Sequence, residues 1–331
     1  MAGRRVLITG VSTHLGTALA RRLEADPEVE YVAGLDSRPP QTPLERTEFI
    51  EADIRQPEVM RLLAPTRVDT LVHNNILRQP RSGMSPQAAH DTNVIGSLQL
   101  MAACESVKTL RTLVVRGSAG IYGSEPSAPQ FFTEDMTRLY PARTRFQRDV
   151  AEIENYFATF ARRNPRIRCT MLRYQPAIGP SLETQITRYI GLGVLPTFMG
   201  YDPRLQFVHE IDAVEALVAA VRNPVSGPVN VAGRGTIGLA RMVRLTGKLS
   251  LPIAPPLFEP TVALGRRFGL GARFSPDFQR LLRYGRGVDT RRLTEEIGFK
   301  PRYSTAAAVE DFLSTLGSPP PAAPVRQVVR R

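Results

Sequence analysis

The sequence predicts an α/β fold: a doubly wound parallel sheet with a smaller lobe drawn from the C-terminal third. Three observations predict it. Short apolar runs alternate with longer helical patterns, a glycine-punctuated turn follows the first run, and after Tyr174 the alternation loosens into proline-broken stretches. The strand-like runs are Val6 to Thr9, Tyr31 to Leu35, Thr47 to Ile50, Thr70 to His73, Thr112 to Val115 and Cys169 to Leu172. Helical patterns lie between them over Leu15 to Leu23, Glu58 to Leu63, Ser85 to Cys104 and Phe146 to Arg162. Pro180, Pro196 and Pro203 interrupt the chain before Ile211 to Val221 returns as an amphipathic helix and Val229 to Val231 as a strand. Pro252, Pro255, Pro256 and Pro260 mark a second irregular stretch. Short helices around Thr261 to Phe268, Pro276 to Leu282 and Ala306 to Leu316 then close the chain. No internal repeat is visible.

At 331 residues and 36.6 kDa the chain holds about two domains' worth of sequence. Its 42% hydrophobic and 22% charged composition excludes wholesale disorder, collagen-like repetition and a disulfide-scaffold mini-protein. No run approaches the roughly 18 uncharged apolar residues of a membrane span. Val6 to Ile8 is too short for a signal-peptide core and lacks a small-residue cleavage site, so a cytoplasmic protein is expected. Cys104 and Cys169 stand in apolar segments without CxxC or histidine-rich spacing, which argues against a disulfide framework and a zinc site. The net charge of +12 is almost all arginine, since Lys108, Lys248 and Lys300 are the only lysines. It is scattered along the chain rather than gathered in a basic run. The stretch best suited to a flexible basic arm, for nucleic acid or an anionic membrane, is the Pro-rich tail 317–331 with Arg326, Arg330 and Arg331.

The first chemistry sits at the end of the first strand, in Thr9-Gly10-Val11-Ser12-Thr13-His14-Leu15-Gly16. Gly10 allows the tight turn and Gly16 lets the helix pack closely on the sheet. Free amides at the helix start can then meet an anion, for which a dinucleotide pyrophosphate is the usual occupant. Gly10, Thr13, His14, Leu15 and Gly16 are therefore candidate cofactor residues in a Rossmann-type fold. Thr13 stands where the fingerprint has its central glycine, which would hold the backbone slightly away from the phosphates. Asp36 ends the second strand, where a carboxylate accepts both hydroxyls of an adenosine ribose and repels a 2′-phosphate. That favours NAD over NADP. Arg38 is a counter-signal, because a guanidinium there can hold a 2′-phosphate or stack on adenine. Asp53, followed by Ile54, suits either a helix cap or an adenine contact.

With these residues the chain resembles the extended short-chain dehydrogenase/reductase family, the nucleotide-sugar epimerases and dehydratases, from about residue 4 to 316. The resemblance rests on TGVSTHLG, GLDSR, ADI at Ala52 to Ile54, VHNN at Val72 to Asn75, NVIGS from Asn93 and GSAGIYG from Gly117. It continues in LRYQPAIGP from Leu172, VHEID from Val208 and GFKP from Gly298. It implies a Rossmann domain over 1–173 whose sheet is completed by about 206–234, and a substrate lobe over 174–205 and 235–316. It also implies that His73, Asn74 and Arg78 line the cofactor, that Asn93 fixes a helix beneath the nicotinamide ribose, and that Tyr174 lies beside the nicotinamide. A homodimer through Ser85 to Cys104 and Phe146 to Arg162 is the family's usual assembly.

The family's chemistry resembles hydride transfer assisted by a serine and a YxxxK pair, which share one helix face at i and i+4. Ser118 matches the serine. None of the nine tyrosines has Lys or Arg four residues on. Anchoring on Glu152 puts Arg148 at the lysine position and Thr144 at the tyrosine position, where a hydroxyl is a far weaker acid than a phenol. Tyr122 and Tyr140 are the candidate displaced bases. The substrate motifs depart as well: Pro176 and Leu205 stand where relatives that act on uridine diphosphate sugars place asparagine and arginine. Arg204, Arg173, Arg283 and Arg286 are the candidates to meet a diphosphate. Two readings follow: an NAD-dependent epimerase/dehydratase-like oxidoreductase on a sugar nucleotide or similar hydroxylated substrate, and a catalytically inert dinucleotide-binding regulator or assembly protein.

Overall fold

The computed structural model describes residues 3–78, 80, 83–267 and 273–316; the expected basic tail over 317–331 lies outside them. The chain runs β1 (Arg4–Thr9), α1 (His14–Glu24), β2 (Val29–Asp36), β3 (Thr47–Glu51), α2 (Val59–Thr66), β4 (Thr70–His73), α3 (Pro86–Ser106) and β5 (Thr112–Ser118). Then come α4 (Arg145–Arg163), β6 (Arg168–Tyr174), β7 (Ala177–Ile178), α5 (Gln185–Ile190), β8 (Val194–Phe198), β9 (Arg204–Leu205), β10 (Val208–His209), α6 (Glu210–Arg222) and β11 (Gly227–Val231). It closes with β12 (Ile237–Gly238), α7 (Leu239–Leu245), β13 (Leu249–Ile253), α8 (Phe258–Arg267), α9 (Pro276–Tyr284), α10 (Arg291–Glu295) and α11 (Thr305–Thr315).

Seven strands form one sheet in the order β11-β6-β5-β4-β1-β2-β3. Every pairing in it is parallel, as expected of strands that are apolar on both faces. Leu19 and Leu23 of α1 pack with Leu217 and Val221 of α6 on one face. Leu63 of α2, Leu100 of α3 and Phe157 of α4 pack on the other. Each such buried side chain contributes about 1.5–3 kcal/mol. The winding reverses between β1 and β4, which opens a crevice at their C-terminal ends.

The smaller lobe has its own apolar core around Tyr189, Phe198, Phe258, Phe278 and Phe312. Small two-stranded pairings, β7 with β10, β9 with β12 and β8 with β13, brace it. The Val208 to Asp212 motif fastens this lobe to the sheet. His209 Nε2 donates to Asp311 of α11 at 3.0 Å, and the Asp212 carboxylate accepts the backbone amides of Arg302 and Tyr303. Asp53 is not a helix cap, because α2 begins after Glu58. The Asp53 carboxylate instead accepts the backbone amide of Arg55 and pairs with its guanidinium, which holds the carboxyl below its ordinary value.

Candidate functional site

The turn from β1 into α1 is built so that the backbone itself faces the crevice. Gly10 has φ +69°, and a Cβ on it would press Asn75 at 3.0 Å. A Cβ on Gly16 would sit 2.1 Å from the Gly10 carbonyl oxygen, so only glycine lets the helix start there. Thr13 is the N-cap: its hydroxyl donates to Gly10 O at 2.7 Å and accepts from Gly16 N and from Asn74 Nδ2. The side chain in the place of the central glycine is thus folded into its own turn. Asn74 is fully buried, and among the described residues its Oδ1 has no hydrogen-bond partner. Asp36 is buried at the end of β2, where its carboxylate accepts the amides of Ser12 and Ser37 at 3.2 and 2.8 Å. Arg38 is exposed, Ile54 is buried against Gly96, and His14 reaches toward Glu210 of α6 at 3.8 Å.

His73 does not line the crevice. It is fully buried, with Nδ1 2.8 Å from the Thr9 hydroxyl and Nε2 2.8 Å from Ser97. Since the Ser97 hydroxyl donates to Asn93 O, the ring proton resides on Nε2 and Nδ1 accepts from Thr9. Burial, then the charge of Arg116, push the imidazole down to about 3. Asn93 clamps the loop after β4, exchanging hydrogen bonds with Leu77 N and O, and its amide also donates to buried Asp149 of α4. His90 holds the same carboxylate at 2.7 Å.

Two cavities meet over the C-terminal ends of the strands. The inner one, about 630 Å³, is lined by Leu15, Ser118, Arg116 and Tyr174; the Tyr174 hydroxyl donates to Ala213 O. The outer one, about 580 Å³, lies between the sheet and α8–α9. They share Arg78, Phe146, Gln185 and Phe278. Ser118 Oγ accepts from Arg78 Nη2 at 3.1 Å and from Gly120 N, so the expected serine stands at the junction beside a guanidinium. The outer cavity presents six arginines, Arg78, Arg143, Arg145, Arg280, Arg283 and Arg286, against the carboxylates of Glu259 and Asp277. Arg286 is buried, and among the described residues its hydrogen bonds go to neutral oxygens, Gln175 Oε1 at 3.2 Å and Gly123 O at 3.3 Å. Burial, then the nearby Arg78 charge, push it down to about 9.

Ser118 aside, the expected catalytic set lies outside both cavities. Tyr122 is buried outside both cavities: its phenol donates to Asn230 and accepts from Arg173 Nη1 at 2.7 Å, and its ring stacks on Phe132. Burial raises its pKa, which unsuits it as a base. Tyr140 lines neither cavity and instead lies under the Arg143 guanidinium. Arg148 is exposed on α4, outside both cavities. Thr144 caps α4, and its hydroxyl donates to Asp277 at 2.6 Å across the outer cavity. The α4 residue that faces both cavities is Phe146. Two positions round a helix is about 200°, so anchoring on Glu152 points the wrong face inward. Counting instead from Glu154, which binds Arg173 in a two-pronged ion pair, the same one-turn spacing falls on Val150 and Phe146. Neither side chain has a titratable proton. Arg173 is spent in that pair and Arg204 is exposed away from the cavities, whereas Arg283 and Arg286 do line the outer one. Asp277 and Arg280 of α9 and Arg116 of β5 were missed, because a single charged residue within a helix or strand carries no motif or spacing that marks it as part of a site.

A parallel sheet with a glycine turn at its switch point defines a Rossmann-type α/β protein. The NAD dependent epimerase/dehydratase family matches residues 6–232, and the chain belongs to that family. An uncharacterised protein of Mycobacterium tuberculosis (strain ATCC 25618 / H37Rv) is 34% identical over 320 residues, covering 95% of this chain and 85% of that protein. Rice UDP-glucose 4-epimerase 3 is 27% identical over 193 residues, 54% of this chain and 50% of its own. Among solved structures, the NAD-dependent NDP-hexosamine 5,6-dehydratase TunA superposes with a TM-score of 0.71 at 23% identity over 95% of this chain and 98% of its own. The dTDP-glucose 4,6-dehydratase of Bacillus anthracis in complex with NAD does so at 0.70 and 16%, over 95% and 97%.

Proposed function

We propose that this chain is an NAD-binding oxidoreductase of the epimerase/dehydratase type, acting on a nucleoside-diphosphate sugar or a similar anionic, hydroxylated substrate. The observation that carries this reading is the arginine-lined outer cavity opening onto Ser118 at the end of the dinucleotide crevice. Buried Arg286, bonded to neutral oxygens and beside another cation, is a site that an anion stabilises. The crevice suits a dinucleotide: the glycines leave backbone where a Cβ would collide, Thr13 is turned inward, and buried Asn74 Oδ1 beside them has no partner among the described residues. Asp36 suits ribose hydroxyls and disfavours a 2′-phosphate. When bound, the nicotinamide would accept or return a hydride. Ser118 and Arg78 orient and polarise the substrate oxygen. Of the outer cavity's two carboxylates, Glu259 is engaged by Gln279 and Asp277 is held by Thr144 on α4; Asp277 takes the role of proton acceptor that the missing phenol leaves open. The lobe over 174–205 and 235–316 closes over the substrate, and a cytoplasmic homodimer through α3 and α4 suits Ile95 and Leu98, which are exposed on α3.

The second reading, a redox-inert binder, is favoured by one observation: Phe146 stands where both cavities meet. Calorimetry separates the parts. NAD should bind more tightly than NADP, and Asp36→Asn should narrow that preference roughly tenfold; uridine diphosphate should bind the NAD-loaded chain. NAD binding with no uridine diphosphate binding overturns the substrate class. Turnover of a nucleotide sugar that survives Asp277→Asn unchanged overturns the role of Asp277.

A further inference from the structure

The outer wall of the substrate cavity carries an unusual surface on its far side. Leu249, Leu257, Leu264 and Met199 are 75, 58, 58 and 54% exposed, the four most exposed among the large apolar side chains of the described residues. They lie on adjoining segments: Leu249 pairs in register with exposed Val194, Leu251 follows on the same face of β13, and Met199 N donates to Ile253 O at the end of that strand. Leu257 and Leu264, seven residues apart, share one side of the helical stretch that ends in α8. Phe258 of the same stretch is buried and lines the outer cavity. The segments that carry this apolar face are rich in basic residues. Residues 241–267 contain Arg241, Arg244, Lys248, Arg266 and Arg267 against the single acid Glu259, whose carboxylate is engaged by Gln279. Arg241, Arg244, Arg267 and Arg273 are exposed. Exposed apolar side chains on segments with a strong excess of exposed arginines match the chemistry of an anionic bilayer, which takes the leucines at its headgroup boundary and the arginines at its phosphates. A second copy of this chain would bring the same cations together, and Pro252 lacks the amide that strand pairing at the β13 edge needs.

We propose that the β8–β13–α8 face docks the protein on an anionic membrane surface, with the substrate cavity directly behind it. The test uses the full chain and sedimentation with vesicles of phosphatidylcholine alone or of phosphatidylglycerol and phosphatidylcholine mixed at roughly 1:2. The chain should bind the mixed vesicles, bind the neutral ones weakly, and lose affinity as salt rises. Leu257→Glu with Leu264→Glu should weaken vesicle binding roughly tenfold or more while NAD affinity and thermal midpoint stay unchanged, since both side chains are on the surface. Changing Arg326, Arg330 and Arg331 to glutamine should leave vesicle binding in place. Loss of binding in that tail variant with retention in the leucine variant overturns the proposal. So does absence of vesicle binding, or a dimer in solution that the leucine variant dissociates.

Discussion

Phe146 decides what chemistry the junction of the two cavities can perform. Its ring lies 3.3 Å from where a Cβ on Gly120 would be, next to the Ser118 network, and the Arg78 guanidinium stands 5.6 Å from its centroid. A phenol there would have a cation beside it, which favours the phenolate and lowers its pKa from about 10. Phe146→Tyr is therefore expected to introduce or raise nicotinamide reduction by a cognate nucleotide sugar, read as absorbance of the reduced cofactor, with a pH–rate rise below about pH 10. Thr144→Tyr with Arg148→Lys should add nothing, because Arg148 projects away from both cavities. Gain of activity in that double variant, with none from Phe146→Tyr, would restore the frame anchored on Glu152.

At the scale of elements, the parallel strands and the glycine turn were legible because their signals are local: an apolar run, a turn that only glycine permits, and a carboxylate closing the next strand. The register of α4 was not, since Glu152 and Glu154 both fit a one-turn spacing and only packing chooses between them. The pairing of β8 with β13 was hidden by Pro196 and Pro252, which read as breakers yet are tolerated in a two-stranded, solvent-edged ribbon. His73 shows the same limit. A histidine ending a strand reads equally as a cofactor contact or a buried tie, and the structure makes it the tie between β1, β4 and α3. Its depressed pKa has a signed consequence. Unfolded, the ring titrates near 6.5; folded, at about 3. Between those values the unfolded chain binds the extra proton, so this contribution to stability is complete above about pH 6.5 and declines by at most about 1.4 kcal/mol per pH unit on acidification. Urea unfolding at about pH 7 and about pH 5 should show a shallower acid loss in His73→Gln than in the parent, whatever its stability at neutral pH. Parallel slopes would mean that the imidazole takes up its proton equally in both states.

At the scale of the whole molecule, the outer cavity is where the sheet and the smaller lobe close on each other, and Arg286 spans that closure. It follows α9, receives its main-chain position from Arg204 O, and reaches Gln175 beyond β6 and Gly123 beyond β5. A guanidinium buried there against neutral oxygens opposes folding through its desolvation and is repelled by Arg78, a repulsion that the Asp277 charge offsets only in part, so its presence is better explained by an anionic ligand than by stability. Arg286→Met keeps much of the side chain's length and apolar packing while removing the charge. The expectation is a thermal midpoint unchanged or raised, with uridine diphosphate affinity reduced roughly tenfold or more, equivalent to at least about 1.4 kcal/mol. Arg286→Lys, which restores a point charge without the planar fork, should recover part of that affinity. Scanning calorimetry and titration of the same three proteins distinguish the cases. A Met variant that unfolds far below the parent would make Arg286 a structural tie, and one that binds uridine diphosphate as tightly as the parent would remove it from the anion site. Stability kept with affinity lost is the pattern that only a ligand-binding cation produces.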